Sequence, residues 1–275
     1  MPEPNTTQRD AASSAHQSGC IPLDGLEMYY ETHGTDQASP PLLLLHGGLT
    51  TIASSFHAIL PTLARTRRVI AVEQQAHGHT ADIDRPLSFP QMADDTAALL
   101  RTLGVAEVDV FGYSDGGNVA LGLAIRHPAL VRSLAVAGTN FNNDGLYPEI
   151  LEILRDPKPD AEEMAELREA YAAVAPRPED WPILVAKVGQ LATEFPGWSP
   201  EELGAIAAPV MVIVGDADVV RPEHAVELFR LLSRSQLAVL PGTGHGMGLE
   251  NPERLPAMLD DFFVAPPDDA KGPSW

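Results

Sequence analysis

Residues 108–117 read VDVFGYSDGG. The first four, Val108 to Phe111, form a run of strand length that is apolar except for Asp109, and Gly112 ends it. Asp115 opens a stretch carrying Val119, Leu121, Leu123 and Ile125 that stops before Pro128. This spacing predicts a buried strand, a turn at Ser114 and a helix over 115–126. Gly112-Tyr113-Ser114-Asp115-Gly116 is a G-x-S-x-G pentapeptide at a strand–turn–helix junction, the setting a nucleophile elbow requires. Such a turn strains the serine backbone and leaves no room for side chains at 112 and 116. It also points the amide dipole of the following helix at the hydroxyl.

The pattern repeats outward from this junction. Residues 42–45, 69–72, 134–137, 210–214 and 237–240 are further short apolar runs, each followed by glycine or a polar loop. Continuous rather than alternating runs indicate strands buried on both faces, hence a parallel sheet covered by helices. Helices are expected over 89–103, 115–126, 222–232 and 252–263, which makes an open, doubly wound α/β sheet. Residues 25–32 read as a leading antiparallel strand pair. Residues 141–208 contain no convincing buried strand. They are helical and acidic, with helices expected at 148–155, 160–175 and 179–193 and prolines throughout. We read them as a helical lid inserted between two strands, shaping the ligand crevice. The core is then 20–140 and 209–264, with a disordered leader at 1–19 and a flexible tail at 265–275.

Composition narrows the function. Among 275 residues, 18 Lys and Arg face 38 Asp and Glu, a formal net charge of −20. That field repels nucleic acids and anionic membranes, so neither is an expected partner. A single cysteine, Cys20, excludes an internal disulfide and a cysteine-based zinc site. No apolar run approaches the ~20 residues of a membrane span, and the polar start lacks the pattern of a secretory signal. A cytoplasmic protein, monomer or homodimer, acting on a small molecule is the expectation.

A serine hydroxyl is protonated at neutral pH and needs a base and a group that orients it. Of nine histidines, only His245 follows the last strand, in the loop PGTGHG at 241–246. The acid should follow the preceding strand, where GDAD at 215–218 offers Asp216 and Asp218. Asp218 is favoured because it lies farther into the loop; Asp216 then serves as a turn residue. Two backbone N–H groups should bind a developing oxyanion. Asp115 supplies one and Gly48, in HGGL at 46–49, the other, with Leu49 as second choice. His46 is read as holding this loop. His77-Gly78-His79 lacks further ligands for a metal site, so no metal is expected. Leu49, Tyr113, Phe141, Trp181, Trp198 and Met247 are candidate pocket residues.

LLLLHGG (42–48), AHGHT (76–80), GYSDGG (112–117), His127-Pro128, GDAD (215–218) and GTGHG (242–246) together resemble the α/β-hydrolase superfamily, over roughly residues 21–264. The resemblance implies a mostly parallel eight-stranded sheet flanked by helices, with a helical lid after the sixth strand. It implies ester or related hydrolysis without a cofactor, most similar to small esterases and lactonase-like members. Residues 73–76, EQQA, depart from the Asp and Arg-Gly that many members carry there. The expected activity is cleavage of a neutral ester or lactone through an acyl-enzyme. Carbon–carbon bond hydrolysis, perhydrolysis, or a receptor with residual hydrolysis are the alternatives.

Overall fold

A computed structural model of the chain describes residues 16–35 and 39–266. The chain enters through a hairpin of β1 (Gln17–Leu23) and β2 (Leu26–His33), turned at Asp24-Gly25, where both residues have positive φ. β3 (Leu42–Leu45) leads into α1 (Ile52–Phe56) and α2 (Leu60–Leu63), and β4 (Val69–Val72) into α3 (Phe89–Thr102). Next come β5 (Val108–Tyr113), α4 (Asp115–Arg126) and β6 (Val131–Ala137). Between β6 and the next strand lie α5 (Pro148–Arg155), α6 (Ala165–Ala172), α7 (Trp181–Glu194) and α8 (Pro200–Gly204). The chain closes with β7 (Val210–Gly215), α9 (Pro222–Leu231), β8 (Ser235–Leu240), α10 (Met247–Glu250) and α11 (Arg254–Val264).

One eight-stranded sheet has the order β1-β2-β4-β3-β5-β6-β7-β8. β1, β2 and β4 pair antiparallel, and all pairs from β4 to β8 are parallel. This is the α/β-hydrolase fold. The leading hairpin is longer than residues 25–32 suggest, because Gly25 is its turn rather than part of a strand. Consequently Gln17, Ser18 and Gly19, placed in the leader from their polarity, form the start of β1 and pair with Thr32, Glu31 and Tyr30. An edge strand can remain polar because only one side of it is paired and its faces reach solvent. The rest of the expected leader, residues 1–15, and residues 267–275 of the expected tail lie outside the described residues.

Strand periodicity divides the core in two. Leu43, Leu45, Ile70, Val72, Val110 and Val136 point to one face, against α3, α4 and α9. Leu42, Leu44, Val69, Ala71, Phe111 and Ala137 point to the other, against α1, α2 and α11. An ion-pair cluster is buried in this frame. Asp109 of β5 is wholly inaccessible; Arg67 donates to its Oδ2 at 2.9 Å, Arg132 donates to the same oxygen, and Ser133 Oγ donates to Oδ1 at 2.5 Å. A buried carboxylate survives only with such complete pairing. It ties the start of β4 to β5 and β6 at the end of the sheet opposite the loops described next. Because β3, β5, β6, β7 and β8 run parallel, the loops after their C-terminal ends converge on one edge, where α/β sheets build their sites.

Candidate active site

Ser114 lies between β5 and α4 at φ 54°, ψ −121°, a conformation that strains a residue bearing a Cβ. The turn closes tightly: Ser114 N–H donates to Ala137 O at 2.8 Å, and Gly117 N–H to Ser114 O at 2.9 Å. A Cβ on Gly116 would collide with the Leu45 carbonyl, so only glycine lets α4 start this close to β3.

The structure brings Ser114, His245 and Asp218 together from three loops. His245 Nε2 is 3.0 Å from Ser114 Oγ, and His245 Nδ1 is 2.7 Å from Asp218 Oδ1. The carboxylate side chain is fully buried, and its Oδ1 also accepts the Val220 N–H at 3.1 Å. Asp216 is elsewhere: its Oδ1 accepts the Thr243 N–H at 3.2 Å, bracing the histidine loop. Tyr113 Oη donates to the His245 carbonyl at 2.8 Å and anchors the same loop. A Cβ at Gly138, after β6, would lie 3.0 Å from His245 Cε1 and 3.1 Å from Asp218 Oδ2, so this glycine leaves the pair room to meet.

A cavity of about 210 Å³ opens above Ser114. Gly48, Leu49, Asp115 and His245 line it near the serine, and Ile150, Leu154, Val188 and Phe195 line it from the inserted helices and the turn that follows them. The first peptide N–H groups of a helix have no intrahelical partner, which leaves that of Asp115 available. Among the described residues the Gly48 N–H has no protein acceptor either, whereas the Leu49 N–H donates to His77 Nε2 at 3.2 Å. Leu49 is therefore unsuited to the oxyanion role considered for it, although its side chain does line the cavity.

The aromatic pocket candidates fall elsewhere, because their bulk serves packing. Phe141 is buried and stacks on His224 with ring centroids 4.1 Å apart. Trp181 is buried among the inserted helices, its Nε1–H donating to Pro159 O at 2.9 Å. Trp198 packs edge-on against Phe195 and lines a separate cavity. Tyr113 and Met247 line a third, smaller apolar space beside α1. Sequence reasoning missed Phe89, Ile150, Leu154 and Val188, whose apolar character did not distinguish them from core.

It also missed the Asp115 side chain, which faces the cavity. Burial pushes its carboxyl up to about 6, and His245 opposes the shift. No Lys or Arg is among the described residues lining this cavity. The Asp115 carboxylate reaches the oxyanion loop, where a Cβ on Gly48 would collide with it. Among the described residues, the one group of His, Cys, Asp and Glu close enough to share a metal ion is His16, Glu31 and His33, on the leading hairpin away from this cavity.

A serine, a histidine and a buried carboxylate at the loop edge of this sheet define a hydrolase. The chain belongs to the alpha/beta hydrolase family, whose model matches residues 42–257. It is similar to the 2-hydroxymuconate semialdehyde hydrolase of Pseudomonas sp. (strain CF600), 30% identical over 257 residues covering 82% of this chain and 87% of that one. It is also similar to the serine hydrolase BPHL of Mus musculus, 26% identical and covering 95% and 90%. Its fold matches the 2-hydroxy-6-oxo-6-phenylhexa-2,4-dienoate hydrolase of Rhodococcus sp. strain RHA1 with a TM-score of 0.76, at 22% identity and covering 92% and 100%. Among the described residues no helix is long and apolar enough to cross a membrane.

Proposed function

We propose that this hydrolase cleaves a neutral carboxylic ester or lactone through an acyl-enzyme on Ser114. The observation that carries the reading is the Ser114–His245–Asp218 chain of contacts, at 3.0 and 2.7 Å, opening onto a mainly apolar cavity without a cation. Ser114 Oγ attacks the carbonyl carbon while His245 Nε2 takes its proton. Asp218 accepts from Nδ1–H, fixing the tautomer and stabilising the imidazolium. The N–H groups of Gly48 and Asp115 bind the oxyanion. His245 returns the proton to the leaving alcohol, then deprotonates the water that releases the acid. The inserted segment 141–208 acts as a lid whose α5 and α7 supply the apolar wall.

Carbon–carbon hydrolysis is the second reading, favoured by the relative named for a muconate semialdehyde. The charge of the cavity weighs against it. A muconate or dienoate carries a carboxylate, which this cavity meets with the Asp115 carboxyl and no Lys or Arg.

The test is turnover of p-nitrophenyl butyrate by the wild type and by Ser114→Ala. A sustained wild-type rate that falls at least about 10³-fold in the folded variant supports the reading. An unchanged rate in Ser114→Ala excludes the nucleophile, and a single turnover in the wild type turns the reading toward a receptor. Turnover of a dienoate ketone in preference to every ester tried establishes carbon–carbon cleavage instead.

A further inference from the structure

The stretch AHGHT has no part in the proton transfers above, yet one of its side chains touches the oxyanion loop. His77 is buried, and its Nε2 lies 3.2 Å from the Leu49 nitrogen while its Nδ1 lies 2.9 Å from the Gln75 carbonyl oxygen. A carbonyl can only accept and a peptide N–H can only donate. The ring is therefore neutral, with the proton on Nδ1 and a bare Nε2. His46 repeats the arrangement from the opposite loop. Its Nδ1 faces Gly47 O at 2.8 Å and its Nε2 accepts the Gln74 N–H at 3.0 Å. The two rings, 4.9 Å apart, cross-link the loop after β3 to the loop after β4.

Both ends of the His77 bridge are strained. Leu49 has φ 60° and Ala76, beside Gln75, has φ 68°, left-handed values that disfavour residues with a Cβ. The turn around Leu49 is closed by Thr50, whose N–H and Oγ1 donate to Gly47 O at 3.4 and 2.7 Å, and the His77 bond adds the one direct restraint on the Leu49 N–H among the described residues. Held there, its N–H is consumed by His77, and Gly48 is left as the amide the loop presents beside Ser114. Glu73 reinforces the same joint: its Oε1 accepts the Ile52 N–H at 3.1 Å and its Oε2 the His79 N–H at 2.6 Å.

We propose that His77 is a positioning residue for the oxyanion hole, acting as a neutral acceptor that holds Leu49 and thereby sets the direction of the Gly48 N–H. This rests on the serine-hydrolase reading above. It predicts a loss confined to the transition state, since a carbonyl oxygen binds the hole weakly until it becomes an oxyanion.

The experiment compares the wild type with His77→Leu, which cannot accept, and His77→Gln, whose amide oxygen can. On p-nitrophenyl butyrate, His77→Leu is expected to lose about 10- to 100-fold in kcat with little change in KM. Its affinity for a trifluoromethyl ketone, which forms a tetrahedral adduct, should fall in parallel, and His77→Gln should recover part of both. Nitrogen-15 spectra of the wild-type imidazoles should show His77 protonated on Nδ1 and bare at Nε2. A folded His77→Leu with wild-type kcat and adduct affinity overturns the proposal, as does a loss carried by KM alone. So does a His77 protonated on Nε2, a measurement that stands even where His77→Leu fails to fold. If the wild type hydrolyses no ester, the serine-hydrolase reading fails, and the tautomer still reports separately on the His77 bridge.

Discussion

His245 Nδ1 approaches Asp218 Oδ1 to 2.7 Å, and the same oxygen accepts the Val220 N–H at 3.1 Å. The second bond matters as much as the first. It fixes the carboxylate, so the imidazole is oriented by a rigid partner rather than by a side chain free to turn. In Asp218→Asn the amide oxygen can still accept from Val220 N–H and from Nδ1–H, but the negative charge that stabilises the imidazolium is gone. Turnover of p-nitrophenyl butyrate should fall by about 10³- to 10⁴-fold with the fold intact. Asp216→Asn, which alters only the bracing of Thr243, should stay within about tenfold of the wild type. Equal losses in the two variants would remove the distinction between the aspartates.

Much of this site was legible because its parts are punctuated by backbone requirements. The strand runs at 42–45 and 69–72 have the bounds of β3 and β4, and the helix expected at 115–126 has those of α4. Ser114, Asp218 and His245 each follow a strand, so chain order alone places them at one edge. Short elements were not legible: α1, α2, α8 and α10 span four or five residues, too few for a helical period to show. Large side chains misled for a related reason. Trp181 and Phe141 have the composition of a pocket, but a buried ring fills core as readily as it lines a cavity. The bridges made by His46 and His77 depend on which backbone groups two loops bring together, and no local pattern encodes that.

The charge of the cavity rests on Asp115. With its carboxyl pushed up to about 6, the group is ionised at pH 8 and mostly protonated at pH 5. An anionic acyl group should be disfavoured at pH 8 and tolerated better at pH 5. Asp115→Asn keeps the backbone N–H and removes the charge. The ratio of kcat/KM for a hemisuccinate ester over that for a butyrate ester should rise about tenfold in the variant at pH 8, equivalent to about 1.4 kcal/mol, and little at pH 5. A ratio unaffected by the substitution at pH 8 would show that this carboxyl does not govern substrate charge.

Acid should unfold the protein through its buried imidazoles. Burial pulls His46, His77 and His224 down to about 4 from the ordinary 6.5. Each accepts a peptide N–H at Nε2, from Gln74, Leu49 and Phe141 respectively, so protonation removes the acceptor. The folded values lie below the unfolded one. The unfolded chain therefore binds more protons as pH falls from about 6.5 to about 4, and the stabilisation, complete above 6.5, is lost across that window. Each imidazole contributes on the order of 3 kcal/mol. Asp115 acts in the opposite sense: its folded value is raised, so its contribution is complete below 3.8 and is lost as pH rises through about 6. Three imidazole protons against one carboxyl proton leave a net uptake on unfolding of about two near pH 5. The urea midpoint should therefore fall between pH 7 and pH 4.5. His224→Gln, whose amide oxygen can still accept the Phe141 N–H without titrating, should make that fall shallower. A midpoint that does not move with pH in the wild type would mean that these rings are not held neutral by the fold.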